Sequence, residues 1–181
     1  KDSSQLPIRE ALRIAADVAR GLAAAHQQAL VHRDIKPSNV FLHQGPQGLE
    51  VKVLDFGLAV FAAGSADETR VTRTGEVLGT PAYMAPEQAR GERVEDARTD
   101  VYALGAVLYH MVTGQPPFGH GSTIEVIIRL LTEPIEPPRK IRPGIPEPVA
   151  QAVVRALDRE PENRFETMRQ FAVALEELLD G

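Results

Sequence analysis

"LVHRDIKPSNVFL", Leu30–Leu42, sets His32, Arg33, Asp34, Lys36, Ser38 and Asn39 between two apolar flanks. Such a stretch is either a polar turn joining two buried elements or a rigid loop carrying a reactive centre. Local composition does not separate the two, so the neighbouring sequence must. Upstream, "LPIREALRIAADVARGLAAAHQQAL", Leu6–Leu30, repeats Ile8, Leu12, Ala15, Ala19, Leu22 and Ala23 at three- and four-residue steps. That spacing predicts a long amphipathic helix with Pro7 suited to its first turn. Downstream, "NVFLHQGPQGLEVKVLDFG", Asn39–Gly57, predicts two short strands, Val40–Leu42 and Val51–Leu54, turned by Gly45, Pro46 and Gly48.

The rest of the chain is mostly helical in pattern. Residues 57–80 are small, polar and threonine-rich with no sustained period, and long irregular loops of this kind tend to be functional or mobile. "VYALGAVLYHMV", Val101–Val112, is apolar nearly throughout but far short of the ~20 residues a membrane helix needs. It reads as a helix inside a folded domain, with Thr99 and Asp100 as its N-cap and Gly114 past its end. "GQPPFGHG" is a turn, "STIEVIIRLLTE" a shorter helix, and "PIEPPRKIRPGIPEP" an ordered proline-rich crossing. Two helices close the chain, at about Glu147–Arg159 and Glu166–Asp180, and there is no internal repeat. The expected fold class is mainly α, one domain over residues 1–181 with a small β-hairpin.

Composition removes several functions. With 181 residues, 43% hydrophobic and 25% charged, the chain can bury a real core. Its net charge of −5 and lack of basic runs argue against nucleic acid as a partner. It has no cysteine, which excludes disulfides and thiolate-held metals and fits a cytoplasmic setting. The first ten residues have no apolar core of the kind a signal peptide requires.

Asp34, Asn39 and Asp55 lie at the outer ends of the two strands. If the strands pair, these oxygen-bearing side chains face one small volume, which suits Mg²⁺ with phosphate oxygens completing its shell. Lys36 adds positive charge of the kind phosphoryl transfer uses.

These motifs resemble those of a known family. "HRDIKPSN" is similar to the catalytic loop of Ser/Thr protein kinases, and "DFG", Asp55–Gly57, to their metal-binding triplet. "GTPAYMAPE", Gly79–Glu87, resembles the end of their activation segment, "DVYALGAVLYHMVTGQPPF" the helix that follows, and "PENRF" supplies the late Arg164. The wording is nearest to the eukaryotic-like Ser/Thr kinases of bacteria. The resemblance implies the C-terminal lobe of a kinase domain, ATP and Mg²⁺ as cofactors with Mn²⁺ as a substitute, and protein substrates.

Residue by residue, it implies Asp34 as catalytic base and Lys36 as contact to the transferring phosphate, a lysine that fits Ser/Thr specificity. Asn39 and Asp55 become the metal ligands. Phe41 falls where the family packs an apolar side chain under adenine, the alternative being an ordinary strand core residue. His32 and Phe56, with Gly57, become structural, anchored by Asp100, and the histidines at 26, 43, 110 and 120 carry no ligand spacing. Arg33 is expected to bind a phosphothreonine in "ETRVTRTGEVLGT". Thr72 and Thr74 are its candidates, against the plain reading of a Thr-rich loop that also holds Thr69. Thr80 lines the wall beside Lys36 and Asp34, and Glu87 pairs with Arg164 in the interior. "GERVEDARTD" runs about one residue longer than the family pattern, a tolerated loop insertion.

The resemblance also has gaps. No Gly-rich phosphate loop, strand lysine or partner glutamate is found in the 181 residues. The expectation is a partial kinase domain whose missing N-lobe is a partner, inactive alone. The parent chain is open to dimerisation and to a membrane anchor elsewhere. The rival expectation is a non-catalytic kinase-lobe module that binds protein partners.

Overall fold

The computed structural model describes residues 5–46, 48–55, 81–92 and 96–181. The candidate residues Phe56, Gly57, Thr69, Thr72, Thr74 and Thr80 lie outside them. In chain order the described elements are α1 (Ile8–His26), β1 (Val40–Gly45), β2 (Gly48–Val53), α2 (Pro86–Ala89) and α3 (Arg98–Thr113). They continue with α4 (Thr123–Thr132), α5 (Pro138–Ile141), α6 (Glu147–Ala156) and α7 (Met168–Asp180). Single 3-10 turns occupy Pro37–Asn39, Pro81–Tyr83 and Pro161–Asn163. The mainly α reading with one hairpin holds. None of the described helices is long and apolar enough to cross a membrane.

Helix α3 is the centre of the molecule. It is apolar all round because it is covered all round: Leu104, Leu108, Tyr109 and Val112 are each fully buried. Helices α1, α6 and α7 and the turn at Pro81–Tyr83 pack on it. Gly105 allows the closest of these approaches, since a Cβ there would lie 2.8 Å from the Cβ of Ala156 on α6. Helix α1 buries Leu12, Ala15, Ala19 and Leu22, as its period predicts, and Ile14 and Val18 as well. The stripe is wider than a single partner needs because α1 meets both α3 and α7.

Three expectations need correction. Helix α3 starts at Arg98, with Ala97 at the N-cap, so Thr99 and Asp100 lie inside its first turn. Asp96 does the capping work instead, its Oδ1 accepting the Arg98 N–H at 2.8 Å. The strands are longer than expected, six residues each, because antiparallel pairing extends to Gly45 opposite Gly48. The proline-rich crossing contains the short helix α5, and the last two helices end at Ala156 and begin at Met168. Gly114 does close α3, in the left-handed conformation at φ 87°.

Candidate active site

The hairpin brings the outer strand ends together, as the sequence requires. Val40 pairs with Val53, and one step further out the Leu54 N–H donates to the Asn39 carbonyl at 2.8 Å. Leu54 therefore stands opposite Asn39 one step beyond the ladder, and Asp55 follows Leu54 directly in the chain. Asp55 is exposed and sits at φ 60°, a left-handed conformation that costs a non-glycine residue on the order of 1 kcal/mol. Arg33 is at φ 67°, so both sides of the site carry a strained backbone.

Asp100 holds the loop from below. Its side chain is completely buried, and it spends both oxygens: Oδ1 accepts the Arg33 N–H at 2.7 Å, and Oδ2 accepts the His32 N–H at 2.8 Å. His26, at the end of α1, adds its Nε2 to the same Oδ2 at 2.8 Å. The sequence reading missed this role of His26, which no spacing signals. His32 is buried and bridges outward: its Nδ1 accepts the Asp34 N–H at 3.3 Å and its Nε2 meets the Leu54 carbonyl at 2.9 Å. Those two partners specify the tautomer, with the proton on Nε2. The structural reading of His32 fits this geometry, and its link to Leu54 ties the loop to the strand that leads into Asp55.

Asp34 faces outward with its side chain 45% exposed, and Lys36 donates from Nζ to its Oδ2 at 2.7 Å. The buried Asn39 donates through Nδ2 to the Asp34 carbonyl at 2.8 Å and more distantly to Oδ2 at 3.5 Å. Two consequences follow. Among the described residues, the hydrogen bonds to the Asp34 carboxylate fall on Oδ2, and Oδ1 stays open toward the surface. Asn39 has spent its amide N–H, which leaves Oδ1 as its remaining ligand atom.

One carboxylate and one amide oxygen match the few protein ligands that Mg²⁺ takes when phosphates supply the rest. No group of three or more His, Cys, Asp or Glu that could hold a metal occurs among the described residues.

Around the polar centre the surface is apolar. Phe41 is 51% exposed, Leu42 44% and Leu54 42%, so Phe41 is no strand core residue. Behind them a cleft is lined by Leu6 just before α1, Ile14 of α1, Val40 and Leu42 of β1, and Val107 and Met111 of α3.

Away from the loop, Glu87 and Arg164 form the expected pair, bidentate at 2.8 Å on both arms, with Arg164 0% exposed. Burial alone would raise the Glu87 carboxyl. The hydrogen bonds and charge of Arg164, helped by the Thr99 hydroxyl at 2.9 Å, outweigh it and hold the group below its ordinary value. The Tyr83 hydroxyl is hydrogen-bonded with His110 Nδ1 at 2.7 Å, a link between the turn before α2 and α3 that sequence reasoning did not find. Burial, then the nearby His120, pushes His110 below the ordinary imidazole value, and burial pushes Tyr83 up.

The protein kinase domain model matches residues 1–174. The chain belongs to the protein kinase family. It is 41% identical over 170 residues to the serine/threonine-protein kinase PknB of Mycobacterium leprae, covering 94% of this chain and 26% of that protein. It is 43% identical over 184 residues to the tyrosine-protein kinase MasK of Myxococcus xanthus, covering 96% of this chain and 27% of that protein. The kinase domain of Mycobacterium tuberculosis PknI superposes with a TM-score of 0.68 at 32% identity, covering 97% of this chain and 57% of that one. The chain thus spans about a quarter of the curated kinases it matches. The family uses ATP and Mg²⁺ and acts on protein substrates.

Proposed function

We propose that residues 1–181 are the C-terminal lobe of a kinase domain that transfers the γ-phosphoryl group of ATP to Ser/Thr hydroxyls of protein substrates. The observation that carries this reading is the fixed Asp34 carboxylate beside Lys36 and Asn39, with Asp55 following directly on the Leu54 that bonds Asn39. Asp34 orients the substrate hydroxyl through its open oxygen and takes its proton. Lys36 faces the transferring group and offsets its charge. Asn39 Oδ1 and the Asp55 carboxylate would hold Mg²⁺, which neutralises phosphate charge when bound. Phe41, exposed on β1, supplies apolar surface for a base. Arg33 is proposed as the phosphate partner of Thr72 or Thr74.

The 181 residues carry the base and the metal ligands but no glycine-rich loop, so by themselves they transfer no phosphate. The test compares the complete natural protein with residues 1–181, using Mg²⁺-ATP, a generic protein acceptor and analysis of the phosphorylated amino acid. Phosphoserine or phosphothreonine from the complete protein alone is the expected result. Phosphotyrosine, favoured by the likeness to MasK, overturns the hydroxyl assignment. Transfer by residues 1–181 overturns the lobe assignment. Binding of protein partners with no transfer by the complete protein favours a non-catalytic module.

A further inference from the structure

We infer that Gln88 is a positioning residue for Asp34, acting through the Arg33–Asp34 peptide, an inference that rests on the phosphoryl-transfer reading above. Gln88 is on α2, 55 positions from Arg33, in a part of the sequence that offers no sign of contact with the loop. Its side-chain amide is used at both ends. Oε1 accepts the Ala85 N–H at 3.1 Å, closing the start of α2, and Nε2 donates to the Arg33 carbonyl at 2.8 Å.

The Arg33 carbonyl belongs to the peptide that enters Asp34. The other pole of that peptide, the Asp34 N–H, is held by His32 Nδ1 at 3.3 Å. The residue before it is pinned through its own N–H to Asp100 at 2.7 Å while at φ 67°. A residue in this conformation relaxes unless its neighbours over-determine it. Asp100, His32 and Asn39 fix four hydrogen-bonding groups of the turn, the Asp34 carbonyl among them, and Gln88 fixes the fifth. Without that fifth bond the Arg33–Asp34 peptide is freer to rotate about its flanking dihedrals, and the Asp34 carboxylate shifts with it. Gln88 therefore connects the segment at 81–92 to the base without touching any reacting atom.

Two substitutions separate this role from simple capping. Gln88→Glu keeps an acceptor for the Ala85 N–H and adds negative charge where a helix start favours it, but has no N–H for the Arg33 carbonyl. Gln88→Leu loses both bonds at similar volume. In the complete natural protein, both variants are expected to lower kcat about tenfold with KM for ATP unchanged. Both are also expected to speed hydrogen exchange of the Asp34 amide, while amides inside α1 exchange at the wild-type rate. If Gln88 only caps α2, Gln88→Glu behaves as wild type. In an active protein, either readout staying at its wild-type value in Gln88→Glu overturns the assignment. If the wild-type protein transfers no phosphate, the kinase reading has failed. Exchange at Asp34 then decides the clamp by itself, supporting it when faster and overturning it when unchanged.

Discussion

Arg164 and Arg33 are the same side chain in opposite situations. Arg164 has five N–H donors and all five are used: two on Glu87, and one each on the carbonyls of Asp158, Arg98 and Arg159. Its guanidinium also lies 4.9 Å from the centre of the Tyr102 ring. Arg33, by contrast, has a buried Nε with no partner among the described residues, although its backbone N–H and C=O are both bound. Around Arg164 the polar network is closed, and a closed network stabilises one arrangement. Around Arg33 only the backbone is closed, and its side chain keeps hydrogen-bonding capacity for something else. The first pattern is architecture, and the second is the one the proposed phosphate-partner role of Arg33 would use.

The comparison breaks most sharply on activity. Asp34→Asn in the complete natural protein is expected to lower turnover by ~10²–10⁴ while leaving the melting temperature nearly unchanged. A steady-state assay beside a thermal melt checks both. Loss of folding instead would put Asp34 with the closed network.

Stability should give the reverse result. Arg164→Leu leaves Glu87 buried without its cation and is expected to destabilise by ~3–5 kcal/mol, by denaturant titration. Arg33→Met removes a buried, unpaired N–H while keeping the apolar stem, so less than about 0.5 kcal/mol is expected. Equal losses in the two variants would erase the distinction.

Acid sharpens it further. Because the folded state holds the Glu87 carboxyl below its ordinary value, its contribution is complete above about pH 4.3 and is lost as pH falls below that. Glu87→Gln should therefore show a shallower loss of stability on acidification than wild type. A smaller effect is expected at His110, also depressed in the folded state. Stability tied to its neutral ring falls as pH drops below about 6.5, and His110→Phe should flatten melting temperature between about pH 7 and 5. An unchanged slope would show that burial of the His110 ring does not couple its protonation to stability.

The parts of this site written in one short run of sequence were legible from it. Asp34, Lys36 and Asn39 lie within six residues, and the hairpin pattern predicted the pairing that sets Leu54, the residue before Asp55, opposite Asn39. The helices were legible as well, because α1 and α3 each carry their burial pattern in their own residues. What the sequence did not disclose are the cross-links made by side chains from distant elements: His26 to Asp100, Tyr83 to His110, and Gln88 to Arg33. A polar residue on a helix looks the same whether its partner is water or a backbone group from another element. The cap of α3 was misread for a related reason. Thr99 and Asp100 have the chemistry of cap residues, but Thr99 gives its hydroxyl to Glu87 and Asp100 its carboxylate to the loop.

Asp100 recognises residues 32 and 33 only through their backbone N–H groups. The shape of the turn is therefore largely indifferent to which side chain stands at position 33. A designer, or natural variation, can exchange that side chain and keep both backbone bonds to Asp100, so position 33 is free to change its chemistry without moving its neighbour.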